Sequence, residues 1–452
     1  MARAPYRTAP VPSTDLPGGI PYIVANEAAE RFSYYGMRAI LVVFMTKFLR
    51  DAAGHPAPMG DAEAREWFHA FAAAVYFTPL LGAVLSDVVL GKYRTILALS
   101  MVYCGGHLAL ALDDTKSGLL FGLALIAFGS GGIKPCVSAH VGDQFGATNA
   151  GLLPKVFGWF YLAINLGAFV SSLLTPWLLD HAGPHVAFAV PGVLMLLATW
   201  VFWLGRHRFV HVPAAGAGFL DELREPRVRE SLKRLAGLYV FVAVFWSLYD
   251  QTASSWVQQA EHMNRTFLGI EWLPAQVQAV NPLLILTLVP VFSSFVYPAA
   301  SRVVRVTSLG KVACGLFLTV PAFLIPAWAE MRIAAGAAPS IGWQLLAYLV
   351  ITAAEVLVSI TCLEFSYTQA PRSLKSFVMS LYFLSITAGN LLTWAVNCFI
   401  QDADGNSRIS GVQYYLLFAG MMTAAAVVFA AVSRGYRETP ILQEEQADGA
   451  PA

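Results

Sequence analysis

The sequence predicts an all-α membrane protein with twelve transmembrane helices in two six-helix bundles and both termini in the cytoplasm. Hydrophobic residue types make up 57% of the 452 residues and charged types only 13%, whereas a soluble domain carries about 25% charged residues. Twelve segments supply roughly the 20 mostly apolar residues that a spanning helix needs. Lys and Arg are also distributed unevenly between the segments that connect them.

The twelve apolar segments are separated by short polar connections, and their even number places both termini on one side. The longest polar stretch, 206–234, divides them into six and six, with a tail at each end. We therefore predict an N-tail (1–20), a first bundle (21–205), a cytoplasmic linker (206–234), a second bundle (235–433) and a C-tail (434–452). The linker sequence FLDELREPRVRESLKR predicts a short amphipathic helix on the membrane surface. The predicted spans are 21–49, 66–90, 95–112, 118–140, 155–179, 186–205, 235–258, 275–300, 310–329, 341–368, 376–400 and 411–433.

The distribution of basic residues sets the predicted orientation. With the termini inside, the inner segments hold 19 of the 29 Lys and Arg residues and the outer segments hold 7, Arg65 among them. This excess satisfies the positive-inside rule. The net charge of +1 argues against a nucleic-acid partner, and the five scattered cysteines form neither a metal-ligand spacing nor a disulfide framework.

The first predicted helix, NEAAERFSYYGMRAILVVF, carries charges that are costly inside a bilayer and therefore indicate function. At 100° per residue, one arc of the helix holds Glu27, Glu30, Arg31, Tyr34 and Arg38, with Tyr35 at its edge. Glu27 and Arg31 are four residues apart and can pair. The alternative is a salt-bridge cluster that only ties helices together, but the tyrosines on the same face favour a lined cavity.

Lys134 is a second ionisable residue inside a predicted span. It follows two glycines and precedes Pro135 in GSGGIKPCVSAHVGDQF. The glycines permit close approach of another helix, and the proline frees a carbonyl. A buried lysine needs an anionic partner; the alternative is that its long side chain reaches the membrane interface.

The remaining polar candidates lie on other spans. Glu355 lies near mid-membrane, and Asp250 and His69 lie at similar depths from the outer boundary, so contact between these two is possible. Histidine titrates in the physiological range, although a lone histidine is more often structural. The other candidates either join helices or contact a ligand: Asn165 and Tyr161, which share one helix face, and Asn281 at the start of the eighth span.

Several sequence blocks resemble a known family. The turn GAVLSDVVLGKYRT resembles the loop signature of the major facilitator superfamily, with an acid and two bases that can latch neighbouring helix ends. NEAAERFSYYG resembles the ExxERFxYYG signature of the proton-dependent oligopeptide transporter (POT) family. GSGGIKPCVSAHVGDQF, FYLAINLGAF, FWSLYDQTASSW and LEFSYTQAP look like further family blocks in the expected order. The resemblance covers nearly the whole chain.

The resemblance implies a major facilitator fold that imports di- and tripeptides with protons. It implies that Arg31 and Lys134 receive the peptide carboxylate, with Arg38 near them, and that Glu355 receives the amino group. The further residues it assigns are Asn165 and Asn281 near Glu355, aromatic pocket positions at Tyr34, Tyr35, Tyr76 and Tyr161, and proton coupling at Glu27, Glu30, His69 and Asp250.

The chain also departs from the family pattern. It lacks the two extra helices of many bacterial relatives and the large outer domain of animal members. A gate pair of animal members matches Arg234 on one side, but Ser293 stands where the acid belongs.

The expected partners are di- and tripeptides, protons and the lipid bilayer of the cell membrane, for a monomer that needs no cofactor besides protons. No motif of a soluble enzyme is present in the sequence. The alternative to peptide import is proton-coupled transport of another small solute, such as a nitrate-like anion or a drug.

Overall fold

The computed structural model describes residues 6–214, 226–368 and 375–433. The chain divides into two compact units, the first made of Met1–Pro58 with Ala74–Gly218 and the second of Met59–Ala73 with Phe219–Ala452. This division differs from the predicted bundles because Met59–Ala73, which includes the start of the second helix, groups with the second unit.

In the part of the first unit that the structure describes there are five helices, and the second of them begins in the other unit. Their bounds are α1 Ile20–Lys47, α2 Asp61–Val84, α3 Lys92–Leu112, α4 Lys116–Asp143 and α5 Leu153–Leu204. The fifth helix is interrupted at Gly183, whose φ of 81° suits glycine. It therefore contains the predicted span 155–179 and all but the last residue of the predicted span 186–205.

Within 226–368 and 375–433, the second unit contains nine helices of varied length and one β-hairpin, in addition to the start of α2. The helices are α6 Pro226–Tyr249, α7 Ser255–Glu261, α8 Val280–Val291, α9 Tyr297–Ser301, α10 Ser308–Ala334, α11 Gly342–Glu355, α12 Thr361–Thr368, α13 Lys375–Ile400 and α14 Gly411–Ser433. The hairpin pairs β1 (Thr266–Phe267) with β2 (Ile270–Glu271) in antiparallel register. Both turn residues, Leu268 and Gly269, have positive φ, as a tight two-residue hairpin requires.

The structure differs from the prediction of a separate surface helix in the linker. Its second part, 226–234, forms the start of α6 and runs directly into the predicted seventh span. Its first part, 219–225, lies outside the described residues.

Several helices change geometry beside acidic residues. A π-helical turn at Leu85–Leu90 contains Asp87, and another at Val356–Ile360 directly follows Glu355. Asp250 begins a 3₁₀ turn, Asp250–Ala253, that separates α6 from α7. Such turns often occur at functional sites because they redirect side chains and free backbone groups.

Each unit packs its helices closely through small residues and aromatic rings. In the first unit a Cβ at Gly36 would come within 2.5 Å of Thr175 Oγ1, so glycine lets α1 approach α5. The rings of Phe44 and Phe188 meet edge to face at 5.0 Å between centroids. In the second unit the Phe323 ring lies 6.5 Å from that of Phe418.

The outward surfaces match those of a multi-pass membrane protein. Nine helical stretches within the described residues are long and apolar enough to cross a membrane. Large apolar side chains stay exposed, with Leu112 at 72% and Phe295 at 71%. In lipid these side chains meet acyl chains rather than water, so their exposure is not unfavourable.

Candidate functional site

The charged cluster of α1 is buried and internally paired. Glu27 and Glu30 are 1% and 0% exposed. Arg31 Nε donates to Glu27 Oε1 at 2.7 Å and lies 3.3 Å from Glu30 Oε2. The pair that the four-residue spacing predicts is thus present, and one guanidinium group balances two carboxylates.

Lys134 is buried between aromatic rings. Its Nζ lies 3.9 Å from the centre of the Tyr34 ring and 4.6 Å from that of Tyr76. Only 7% of the residue is exposed, and among the described residues Nζ has no hydrogen-bond partner. This burial argues against the alternative interpretation, in which the long side chain reaches the membrane interface. Two faces of π-electrons partly replace the hydration of its ammonium group.

Glycines allow α4, the helix that carries Lys134, to pack closely against α2. A Cβ at Gly82 would collide with the carbonyl of Gly131, and a Cβ at Gly131 would collide with Thr78. The hydroxyl of Thr78 donates to the Ala127 carbonyl at 2.7 Å. Close contact of the two backbones explains why small residues precede Lys134.

The other predicted binding residues of the first unit differ in their exposure and in their contacts. Arg38 is 8% exposed, and the Tyr34 and Tyr35 rings meet edge to face at 5.4 Å. On α5 the amide of Asn165 donates to the carbonyl of Tyr161 at 2.9 Å, one helical turn away, and Tyr161 is 38% exposed. The assigned substrate-binding roles of these residues stay predictions.

The loop signature connects two helix ends. Lys92, the first residue of α3, places Nζ at 2.7 and 2.9 Å from the carboxylate oxygens of Asp143, the last residue of α4. Gly91 turns the chain into α3 with a φ of 75°. The latch that the signature predicts is therefore formed.

In the second unit Glu355 is held by a chain of hydrogen bonds. Asn281 Nδ2 donates to Glu355 Oε2 at 2.9 Å and to Thr352 Oγ1 at 3.0 Å. The hydroxyl of Tyr249 donates to Asn281 Oδ1 at 3.1 Å. Asn281 thus joins the acid, as predicted, while Tyr249 and Thr352 are additions that sequence reasoning missed.

His69 and Asp250 lie in one hydrogen-bonded network of the second unit. Asn390 lies between them: its Oδ1 is 2.7 Å from His69 Nδ1, and its Nδ2 donates to Asp250 Oδ2 at 2.6 Å. The other ring nitrogen, Nε2, is 3.0 Å from Ser254 Oγ. Sequence reasoning missed Asn390 and Ser254, although an amide in the apolar segment TAGNLLTW is a detectable signal.

The structure corrects the assignment of Arg65 to an outer loop. It lies within α2, is 7% exposed, and donates to Asn397 Oδ1 at 2.9 Å and to Gln258 Oε1 at 2.7 Å. Its guanidinium group also stacks over the Tyr414 ring at 4.7 Å. Arg65 therefore anchors the first turns of α2 to α7, α13 and α14.

The structure describes the side chain at one of the two positions that match the gate pair of animal members. Ser293 donates to the carbonyl of Pro290 in its own helix at 3.1 Å. The side chain of Arg234, which matches the base of that pair, lies outside the described residues.

Comparison with known proteins identifies the family. A family model described as PTR2, POT family, matches residues 93–228 and 222–413. Peptide transporter family 1 of Drosophila melanogaster is 36% identical over 371 residues, which cover 71% of this chain and 49% of that protein. Human solute carrier family 15 member 1 is 36% identical over 378 residues, which cover 70% of this chain and 52% of that protein. The chain spans about half the length of these curated relatives.

A solved structure shows the fold. The in meso crystal structure of the POT family transporter PepTSo superposes with a TM-score of 0.85 and 36% sequence identity, covering 93% of this chain and 99% of that chain. The predicted helical major facilitator fold is therefore confirmed, while the count of twelve spans and the side of the termini stay predictions. By its family model, its relatives and its fold, the chain belongs to the POT family of transporters.

Proposed function

We propose that the protein is a proton-coupled symporter that imports di- and tripeptides by alternating access, driven by the proton electrochemical gradient. The observation that carries the proposal is that the protein has buried groups suited to both ends of a peptide. Acids and bases cluster around Arg31 and Lys134, and a hydrogen-bonded acid, Glu355, lies in the second unit. Membership of a family whose relatives include named peptide transporters supports it.

A peptide of two or three residues presents one carboxylate and one ammonium group. We propose that the carboxylate binds Lys134, whose ammonium group carries three N–H donors and lies over the rings of Tyr34 and Tyr76. Arg31 and Arg38 add positive charge near it. The ammonium group of the peptide binds Glu355, whose partner Asn281 holds the carboxylate in place.

The side chains of the peptide would contact aromatic and amide groups rather than the charged groups that bind its two ends. The tyrosines at 34, 35, 76 and 161, with Asn165, offer flat surfaces that tolerate many side chains. Recognition of the main-chain charges together with tolerance of side chains is what general uptake of short peptides requires.

Proton coupling follows from the balance of charges around Arg31. In the structure one guanidinium group serves two buried carboxylates, Glu27 and Glu30. A peptide carboxylate that approaches Arg31 competes with Glu27 and Glu30 for its guanidinium group. A proton on either acid weakens that acid's hold on Arg31 and frees the guanidinium group to turn toward the substrate. Leaving one member of a buried pair without its partner costs several kcal/mol, enough to bias alternating access.

A second proton site is the network of His69 and Asp250 in the second unit. Protonation of the imidazole creates a positive charge one amide away from the Asp250 carboxylate. Each proton that enters down the membrane potential contributes about 2.3 kcal/mol per 100 mV. We place the protein in the cell membrane, with both termini cytoplasmic, as a monomer.

The test is uptake of labelled dialanine by purified protein in liposomes with an imposed inward proton gradient. Competition by unlabelled peptides, nitrate and cationic drugs separates peptide transport from the alternatives. Accumulation that depends on the gradient and that only short peptides suppress supports the proposal. Accumulation that nitrate or a drug suppresses, but that dipeptides leave unchanged, contradicts it.

A further inference from the structure

The buried amide of Asn390 lies between His69 and Asp250, two titratable groups of the second unit. We propose that Asn390 is a positioning residue that sets the tautomer of His69 and orients its own dipole to favour a protonated His69 beside an ionised Asp250. This inference rests on the proposed function, because it assigns the geometry of one of the proposed proton sites.

The orientation of the amide follows from its acceptors. Asn390 is 0% exposed, and its Nδ2 donates to Asp250 Oδ2 at 2.6 Å and to the carbonyl of Ile386 at 3.0 Å. Both partners are oxygen acceptors, so the NH₂ group must face them and the amide cannot be flipped. Its Oδ1 therefore faces His69 Nδ1, 2.7 Å away.

The tautomer of His69 follows in turn. A carbonyl oxygen can only accept a hydrogen bond, so Nδ1 must carry a hydrogen. In the neutral imidazole Nε2 then holds the lone pair, which accepts from the Ser254 hydroxyl at 3.0 Å. An incoming proton from water forms its N–H bond at Nε2, and the imidazolium gains one positive charge. The Ser254 hydroxyl rotates and becomes the acceptor, while Asn390 need not move.

The dipole of the amide favours this charge distribution. Its positive NH₂ end faces the Asp250 carboxylate and its negative oxygen end faces the imidazole. Hydrogen bonds to ionised groups are stronger than those between neutral groups. The same side chain therefore stabilises an anion on one side and a cation on the other.

The charged residues nearest to His69 along α2 are Arg65 and Glu66. On α2 itself, Arg65 lies one turn earlier and bonds Asn397 and Gln258. The residues that bond the His69 ring, Ser254 directly before α7 and Asn390 on α13, are uncharged. Within the described part of this unit, Asp250 is thus the acid that the Asn390 amide connects to His69. Glu66 is a further acid, on the same helix as His69.

The first experiment reads the tautomer directly. Protein with ¹⁵N-labelled histidine is placed in lipid nanodiscs, and the His69 signals are assigned by their loss in His69→Gln. We expect the neutral form to carry hydrogen on Nδ1 in the wild type. A neutral His69 with hydrogen on Nε2 would overturn the proposal, whatever any variant does in transport.

The second experiment compares two leucine substitutions on the same helix. Asn390→Leu removes the bridging amide, and Asn397→Leu removes an equally buried amide that bonds Arg65 rather than His69. For Asn390→Leu we expect half-maximal proton-driven dialanine uptake to move about one to two pH units toward acid. Exchange of labelled for unlabelled dialanine without a gradient should persist, and Asn397→Leu should keep the wild-type midpoint.

The outcomes separate the inference from the proposed function. An unchanged midpoint in Asn390→Leu, or an equal shift in both variants, contradicts a positioning role. If Asn390→Leu does not fold, the tautomer measured in the wild type decides. Absence of any proton-driven uptake in the wild type contradicts the proposed function and leaves the tautomer test standing.

Discussion

Replacement of Glu355 by glutamine changes one charge and almost nothing else. Glu355 Oε2 accepts from Asn281 Nδ2 at 2.9 Å, and an amide oxygen in the same place can accept the same hydrogen bond. The half-buried side chain keeps its volume and its place before the π-helical turn. The variant therefore removes the negative charge that we propose for the peptide ammonium group.

The expected loss follows from the strength of a hydrogen bond between charged groups. Such a bond contributes about 1.5–3 kcal/mol net of desolvation. Its loss weakens dialanine binding by about 10- to 150-fold. Proton-driven uptake at a substrate concentration near the wild-type KM should then fall by about 5- to 75-fold.

The assay measures inhibition constants for two peptides in wild-type and variant protein. Dialanine carries the ammonium group, and N-acetyl-dialanine lacks it. The wild type should prefer dialanine by the factor above, and Glu355→Gln should bind both peptides equally. Glu271→Gln, at an exposed acid of the β-hairpin that lies 3.8 Å from Arg265, serves as the matched control. A variant that accumulates dialanine fully, or that still prefers it over the acetylated peptide, would refute the assigned role.

Three further predictions concern other sites. Lys134→Ala should reduce proton-driven uptake at least about tenfold, since it removes the proposed carboxylate partner; full accumulation by the variant contradicts the role. His69→Ala should lose proton-driven accumulation but retain exchange, and pH-dependent accumulation by this variant would mark His69 as structural. Burial, assisted by the charges of Arg94 and His207, lowers the pKa of His211. Stability that is present above the unfolded-state pKa of about 6.5 should therefore be lost as pH falls below it. The thermal midpoint should fall less between pH 7.5 and 5.5 in His211→Gln than in the wild type, and equal falls refute this.

Features that depend on local sequence could be predicted well. The spacing of Glu27 and Arg31 dictates that their side chains meet on one helix face, and the structure contains that pair. The glycines before Lys134 indicated a close helix contact, which Gly82 and Gly131 make. Helical periodicity and apolar length are local properties, so no knowledge of distant residues was needed.

Features that depend on distant residues could not be predicted in this way. Arg65 looked like a loop residue because its partners, Gln258 and Asn397, are 193 and 332 positions away in the chain. Asn390 is separated from His69 by 321 positions, so no spacing rule connects them. The irregular turn at Asp250 interrupts a continuous apolar pattern that predicts a regular helix.

The central claim, proton-driven import of short peptides, is tested most directly by one measurement. Purified protein in liposomes is given an inward proton gradient, and the internal concentration of labelled dialanine is followed over time. We predict accumulation above the external concentration, collapse of that accumulation when a protonophore is added, and simultaneous alkalinisation of the external medium. Equilibration to equal concentrations, with or without the gradient, would contradict the account.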